Sequence, residues 1–381
     1  MDFDLNQDQE LLKATVERFV ADRYGADEAR ANLEEEQGFS AANWALLGEL
    51  GLIAAAFRPE NGGLGASAAD IAVIFEALGR GLIAEPLIES AFVAGALFER
   101  IAPPSVAESW TDDLVSGKRR LALAHRERNA RKNSRRVETR AGRNGVGWIL
   151  NGSKSVAPAG WKADGWIVSA RTDGAAGDAE GVAWFLAISD APGIEATPYR
   201  LIDGSQACAL VFDNVKLPNE SRLGGGLADL EAVEARASLA QTAEAVGVMD
   251  YMFAATLEYL RTRRQFGAPL GSFQALQHRM VAQYAKLEQA RSLLYAAVMA
   301  DPANEASWRK TMAGVRAFVA EAALALGHEA IQLHGGMGVS DELMLGRAHK
   351  RLVKFSRYPV DAETALDEFA GVGRSGQSGV R

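Results

Sequence analysis

The hydrophobic period of this chain changes twice, and each change limits what can pack against what. Up to about residue 118, apolar side chains recur at helical spacing. Asn6, followed three residues later by Gln9, predicts a capping box before Leu11, Leu12, Thr15, Val16, Phe19 and Val20. Further helices are expected over 44–50, 71–78 and 89–100, with a tight glycine-bearing loop at 59–65. After Ser116-Gly117-Lys118 the pattern turns strand-like and stays so to about Leu217. Asn151-Gly152, between 147–150 and 153–156, is the strongest hairpin signal there. Short strands without intervening helices imply a small antiparallel barrel or sandwich. Leu223-Gly224-Gly225-Gly226 then leads into helical periodicity as far as Phe369. The expected organisation is α+β: a helical domain over 1–118, a β domain over 119–222, a helical bundle over 223–370 and a Gly/Ser-rich tail over 371–381.

Composition excludes several functions. A net charge of −8 argues against nucleic acid as the partner of the whole chain. Cys208 is the one cysteine, so no intrachain disulfide forms, and no Cys/His ladder suggests a metal. No apolar run reaches ~18 residues, so no membrane span is expected, and the acidic start MDFDLNQDQE is unlike a secretory or transit peptide. A cytoplasmic protein is expected. The densest charge run, His125 to Arg136 with Arg140 and Arg143 beyond it, reads either as a solvated, mobile loop or as a landing for CoA phosphates or an acidic partner.

The most informative stretch is 261–294. A helix carrying Phe253, Leu257 and Leu260 on one face ends at Arg261, Arg263 and Arg264. Gly267 and Pro269 interrupt it, and a second helix restarts at Ser272 with Leu276, Met280, Tyr284, Leu287, Leu294 and Val298 in one stripe. Arg263-x-x-Phe266-Gly267, then Gln274, resembles the R-x-x-F-G…Q stretch of acyl-CoA dehydrogenases. Gln332-Leu-His-Gly335-Gly336-Met-Gly338 resembles that family's Q-x-x-G-G-x-G. The resemblance covers essentially the whole chain and is nearest to the small or partner subunits that act on dicarboxylyl- and steroid-derived CoA thioesters.

The resemblance implies an N-terminal helical domain, a middle β domain and a C-terminal four-helix bundle that mediates homo- or hetero-oligomerisation. It implies FAD, an acyl-CoA thioester substrate, an electron-acceptor flavoprotein, and a place in lipid or steroid catabolism. Arg263 would meet the FAD pyrophosphate of a neighbouring chain, Phe266 would pack on the cofactor and Gln274 would hydrogen-bond it. Gln332, Gly335 and Gly336 would let backbone approach the adenosine side.

Other family features are missing. Its T-E-P-x-x-G-S-D segment is replaced by Ala124-His125-Arg126-Glu127, and its W-I-T by Val156-Ala157-Pro158, where proline has no hydrogen to donate. The base of the Y-E-G-T motif falls on Pro359, and the alternative base position falls on Ala237. Glu244 is the remaining catalytic candidate, although its place seven residues on lies roughly 10 Å along the helix. Glu234, Asp361 and Glu363 fit less well, and His278 and His334 read as structural. The expectation is therefore an acyl-CoA dehydrogenase-like subunit for α,β-desaturation that lacks the base and works beside a paralogue. The alternatives are a non-catalytic scaffold for a CoA thioester or a protein, and a flavoenzyme of nitroalkane or hydroxylase chemistry on the same fold.

Overall fold

In the computed structural model the described residues are 5–130, 133–178, 180–300, 304–340 and 342–371, so most of the expected C-terminal tail lies outside them. Two compact units emerge, and they do not follow sequence order. One comprises residues 1–22, 68–82 and 238–381, the other residues 23–67 and 83–237.

The helices that precede the sheet are α1 (Gln7–Arg23), α2 (Ala26–Glu34), α3 (Ala41–Glu49), α4 (Ala68–Gly81), α5 (Ala96–Ile101), α6 (Pro104–Ala107) and α7 (Thr111–Val115). Those after it are α8 (Leu227–Thr262), α9 (Gln274–Val298), α10 (Glu305–His334), α11 (Leu345–Arg357) and α12 (Ala362–Ala370). The capping box forms as expected. Asn6 Oδ1 accepts from Gln9 N at 2.9 Å, and Gln9 Oε1 accepts from Asn6 N at 3.1 Å. Val16 and Phe19 of α1 are buried.

In the helical unit α4 and α8 cross backbone to backbone. A Cβ at Gly79 would collide with the Glu244 carbonyl oxygen, and one at Gly247 with that of Glu76. Glycine is required at both positions because a rigid carbonyl, unlike a side chain, cannot yield. The crossing is tied at its edge: Arg80 Nε bonds Asp250 at 2.7 Å, and Arg291 of α9 reaches the same carboxylate at 3.1 Å.

The β unit holds one sheet of seven strands among the described residues: β1 (Leu121–Ala124), β2 (Arg140–Asn144), β3 (Gly147–Pro158), β4 (Gly165–Arg171), β5 (Val182–Ile188), β6 (Ile194–Arg200) and β7 (Gln206–Pro218). Its order is β1-β4-β2-β3-β7-β6, with β5 also on β4. Most pairs are antiparallel as expected, but β1 runs parallel to β4, Leu121 opposite Gly165. Trp148, Leu150, Trp166, Val168, Phe185, Leu210 and Phe212 form the core.

Asn151-Gly152 is not a hairpin turn, which corrects the sequence reading. It lies inside β3, where the register against β7 shifts between Leu150 and Gly152. Gly152 has φ +140°, and a Cβ there would lie 2.7 Å from Thr139 Cα. The dipeptide supplies a bulge and a close approach. The β2–β3 turn sits instead at Gly145-Val146, where Gly145 takes φ +57°, as a tight mirror-image turn requires.

Replacing Gly247 by Val overpacks the α4–α8 crossing and lowers unfolding free energy by roughly 1–3 kcal/mol or more in denaturant titrations. The control is Gly336→Ala, where a Cβ would meet no atom within 4 Å and the midpoint stays unchanged.

Candidate functional site

The two motifs singled out in the sequence meet at one end of the helical unit. α8 stops at Thr262, and a two-strand ribbon follows, β8 (Arg264–Gln265) against β9 (Ala268–Pro269). Both residues of its two-residue loop are left-handed, Phe266 at φ +52° and Gly267 at φ +81°. That is a type I′ turn with a phenylalanine where asparagine or glycine is favoured. The Phe266 ring is 89% exposed and touches Phe273 edge-on at 6.3 Å. α9 begins at Gln274, two residues later than expected, because Leu270–Ser272 forms a 3₁₀ turn and the Ser272 hydroxyl donates to Pro269 O.

At the end of α10, His334 Nδ1 bonds Ala330 O at 2.8 Å and its ring stacks on Tyr259 of α8 at 4.3 Å. Leu333, Leu260 and Met280 close the same corner. His334 is thus structural, and burial lowers its pKa. The corner brings Gln332, Gly335 and Gly336 to the end that carries Arg263, Phe266 and Gln274, and all six are exposed. Gly335 is left-handed at φ +61°, and a Cβ at either glycine would meet nothing within 4 Å. Guanidinium, ring, amides and bare backbone open to solvent fit a dinucleotide presented from outside the chain. Beside them α9 exposes Val281 and Tyr284.

The expected positions of a catalytic carboxylate are otherwise engaged. Arg316 of α10 is buried and donates to Phe355 O (2.8 Å), Tyr358 O (2.7 Å), Val360 O (3.1 Å) and Gln241 Oε1 (2.7 Å). It pins the turn bearing Pro359 to α8 and to the end of α11. Asp361 caps α12, accepting from Thr364 N at 2.8 Å, and Glu363 sits in the first turn of that helix. Glu244 Oε1 is 2.7 Å from Arg351 Nη2, both side chains about one-seventh exposed (14% and 15%). Its carboxylate is engaged by the guanidinium rather than presented to a substrate. Ala237 is buried, Glu234 lies 4.0 Å from Arg126, and His278 is exposed.

Among the described residues, the charge run in the β unit is held by ion pairs and hydrogen bonds. Arg131 and Lys132 lie outside the described residues, but the run around them is anchored. Arg135 forks onto Glu231 (2.9 and 3.2 Å), and Arg136 binds Glu138. Beneath them Glu127 Oε1 accepts from Lys154 Nζ (2.6 Å), Thr139 Oγ1 (2.7 Å) and Thr139 N (3.0 Å), while Oε2 accepts from Glu138 N (2.6 Å). Burial lowers the Lys154 ammonium to about 8, although Glu127 draws it back up. Desolvation works against the Glu127 carboxylate, but Lys154 and the three other donors leave its pKa lowered.

At the end of β3, Pro158 is buried and lacks an N–H. The next carbonyls, of Ala159, Trp161 and Lys162, are held by Arg120 at 3.0–3.3 Å. Pro158 therefore offers no hydrogen at that place, and the carbonyls just beyond it are engaged internally. Sequence reasoning missed the Glu127–Lys154 pair and Arg316, because their partners lie 27 to 75 residues away with no local pattern to mark them.

Matches to known proteins agree with the geometry. Residues 6–118, 122–215 and 230–357 match the N-terminal, middle and C-terminal domains of acyl-CoA dehydrogenases, respectively. The chain is 32% identical over 320 residues to the 2-methylacyl-CoA dehydrogenase of Solanum tuberosum, 80% of this chain and 75% of that one. Among solved structures it is similar to a variant of the Tcur3481-Tcur3483 steroid ACAD (26% identity, TM-score 0.84, 96% and 97% of the two chains). It is also similar to the ChsE4-ChsE5 complex of Mycobacterium tuberculosis (25% identity, TM-score 0.84, all of both chains).

Replacing Lys154 by Met leaves Glu127 a buried carboxylate without its counter-charge. The expected loss is about 3 kcal/mol of unfolding free energy, the lower end for a broken buried pair, because three hydrogen bonds remain. Thermal melts of the two proteins check it.

Proposed function

The chain belongs to the acyl-CoA dehydrogenase family, and from that premise we propose that it is the base-less subunit of a heteromeric enzyme desaturating an acyl-CoA thioester. The observation that carries the reading is a division within the chain. The end bearing Arg263, Phe266, Gln274, Gln332, Gly335 and Gly336 is open to an outside ligand, while the carboxylates near the expected base positions are tied up internally.

The family is one of FAD oxidoreductases, and when bound the flavin supplies the acceptor for the substrate's β-hydrogen. This chain's part is to bind and orient. Arg263 neutralises pyrophosphate in a forked contact, Phe266 covers an apolar face, and Gln274 and Gln332 fix polar edges. Gly335 and Gly336 let main chain approach where any side chain would stand off. The carboxylate that removes the α-proton comes from the partner chain, a paralogue. The similarity to a steroid ACAD and to a two-protein complex supports a bulky CoA thioester as substrate and a second polypeptide as partner.

The chain purified alone is expected to be nearly colourless and inactive, and the co-expressed pair yellow at about 450 nm, the flavin band, and bleached by substrate. A fully flavinated homomer that reduces with an acyl-CoA would overturn the reading. In the complex, Arg263→Ala removes a charge-assisted contact worth about 1.5–3 kcal/mol, so FAD affinity falls roughly 10- to 100-fold in equilibrium dialysis.

A further inference from the structure

We propose that Arg143 and Arg222, laid over the indole of Trp148 in the β unit, form an anion site that takes a phosphate group. Two separate strand pairings bring them there. Arg143 of β2 stands opposite Trp148 of β3 in register, so both side chains leave the same face of the ladder. Arg222, just past the 3₁₀ turn Asn219–Ser221, bridges antiparallel to Phe185 of β5. The Phe185 ring meets Trp148 edge-on at 5.2 Å and completes the convergence. The guanidinium carbons of Arg143 and Arg222 lie over the one indole, 4.3 and 5.3 Å from its centroid. Both arginines are exposed.

The unmatched polar groups gathered here are all donors. Attraction to the ring face holds a guanidinium in place without using its N–H groups. Each guanidinium has five of these and no acceptor. Arg143 spends one on Asn219 Oδ1 at 2.7 Å, which orients the fork. Among the described residues Arg222 donates no side-chain hydrogen bond, and no carboxylate pairs with either arginine. Trp148 is 5% exposed, and its buried Nε1–H finds no hydrogen-bond acceptor.

Acid is not scarce in this chain, whose net charge is −8. Other arginines of the same unit are matched: Arg58 with Glu99, Arg100 with Asp229, Arg119 with Asp113. Two like charges held over one ring repel each other, and an anion bound to both removes that cost. A carboxylate has oxygens and charge enough for one fork. A phosphate ester has three free oxygens and about −1.5 to −2 charge at pH 7, enough for both. The anion landing expected of the charge run thus falls on its last member, Arg143, joined by an arginine from beyond β7. The site rests on the β unit alone and not on the subunit role proposed above.

Pyrophosphate titrated into the full chain labelled with ¹⁵N-tryptophan tests it. The chain has seven tryptophans, and Trp148→Phe identifies the indole signal of Trp148. That signal should shift and saturate. Arg143→Ala and Arg222→Ala should each weaken the fitted affinity about tenfold or more, the loss of one charge-assisted contact. Lys118→Ala removes an equal charge from an exposed position of the same unit and should change it less than about twofold. Arg263→Ala should leave the Trp148 response intact, so this site and the cofactor end fail separately. A Trp148 signal that does not saturate, or whose response survives Arg222→Ala, overturns the proposal, as does an equal loss with Lys118→Ala. If Trp148→Phe does not fold, calorimetry in the Arg263→Ala chain, with and without Arg222→Ala, decides in the same terms. Inorganic phosphate and coenzyme A, titrated likewise, then distinguish the source while both support the site. Equal affinity identifies a free anion, and tighter binding of coenzyme A identifies a nucleotide-borne phosphate.

Discussion

Two glycines facing two carbonyls set the geometry of the helical unit. Where α4 and α8 touch at Gly79 and Gly247 there is no side chain to adjust, so the crossing is fixed by main-chain contact. Short distance is what lets Arg80 and Arg291 converge on Asp250 at its edge. It also fixes the phase of α8, and hence which face carries Glu244 toward Arg351 and Gln241 toward Arg316. A helix of 36 residues then delivers the arginines at its far end to a defined place.

The chain treats its carboxylates and its cations differently at different places. Away from the ribbon several acids are matched by a cation or a backbone donor: Glu244 with Arg351, Glu127 with Lys154, Glu231 with Arg135, Asp361 at a helix start. Such pairs are stabilising chiefly in the sense that losing one partner is costly. At the ribbon end the balance reverses, and Arg263 stands exposed beside bare glycine backbone. A proton-abstracting group needs a carboxylate poorly stabilised as an ion; an anion site needs cations with capacity to spare. At the ribbon end the exposed groups are of the second kind, while the acids near the positions expected for a base, Glu244 and Asp361, are paired or capping.

Local chemistry was legible from sequence. The Asn6–Gln9 box needs only three residues' separation, and the stop at Gly267 and Pro269 needs only their intrinsic preferences. The same locality misled at Asn151-Gly152. A turn dipeptide and a bulge demand the same permissive backbone, and the choice was made by Thr139 approaching from another segment. The parallel β1–β4 pair and the Arg135–Glu231 fork join residues about 44 and 96 apart, and no spacing rule reaches so far. The arginine run read as a solvated loop or an anion landing because two of its acidic partners, Glu231 and Glu234, lie far off on α8. The ordered glycine and arginine motifs were found because each is compact, but that they share one end depended on the Tyr259–His334 stack.

The ribbon tip carries a further implication. A phenylalanine in a left-handed turn, its ring in water, is disfavoured twice over in the single chain, by backbone strain and by lost burial. Asparagine at that position would relieve both. Laboratory evolution scored on the lone polypeptide's heat resistance would therefore erase Phe266 early, and on the proposed function evolution scored on the assembled protein would keep it. At this turn, durability and partnership are opposed objectives.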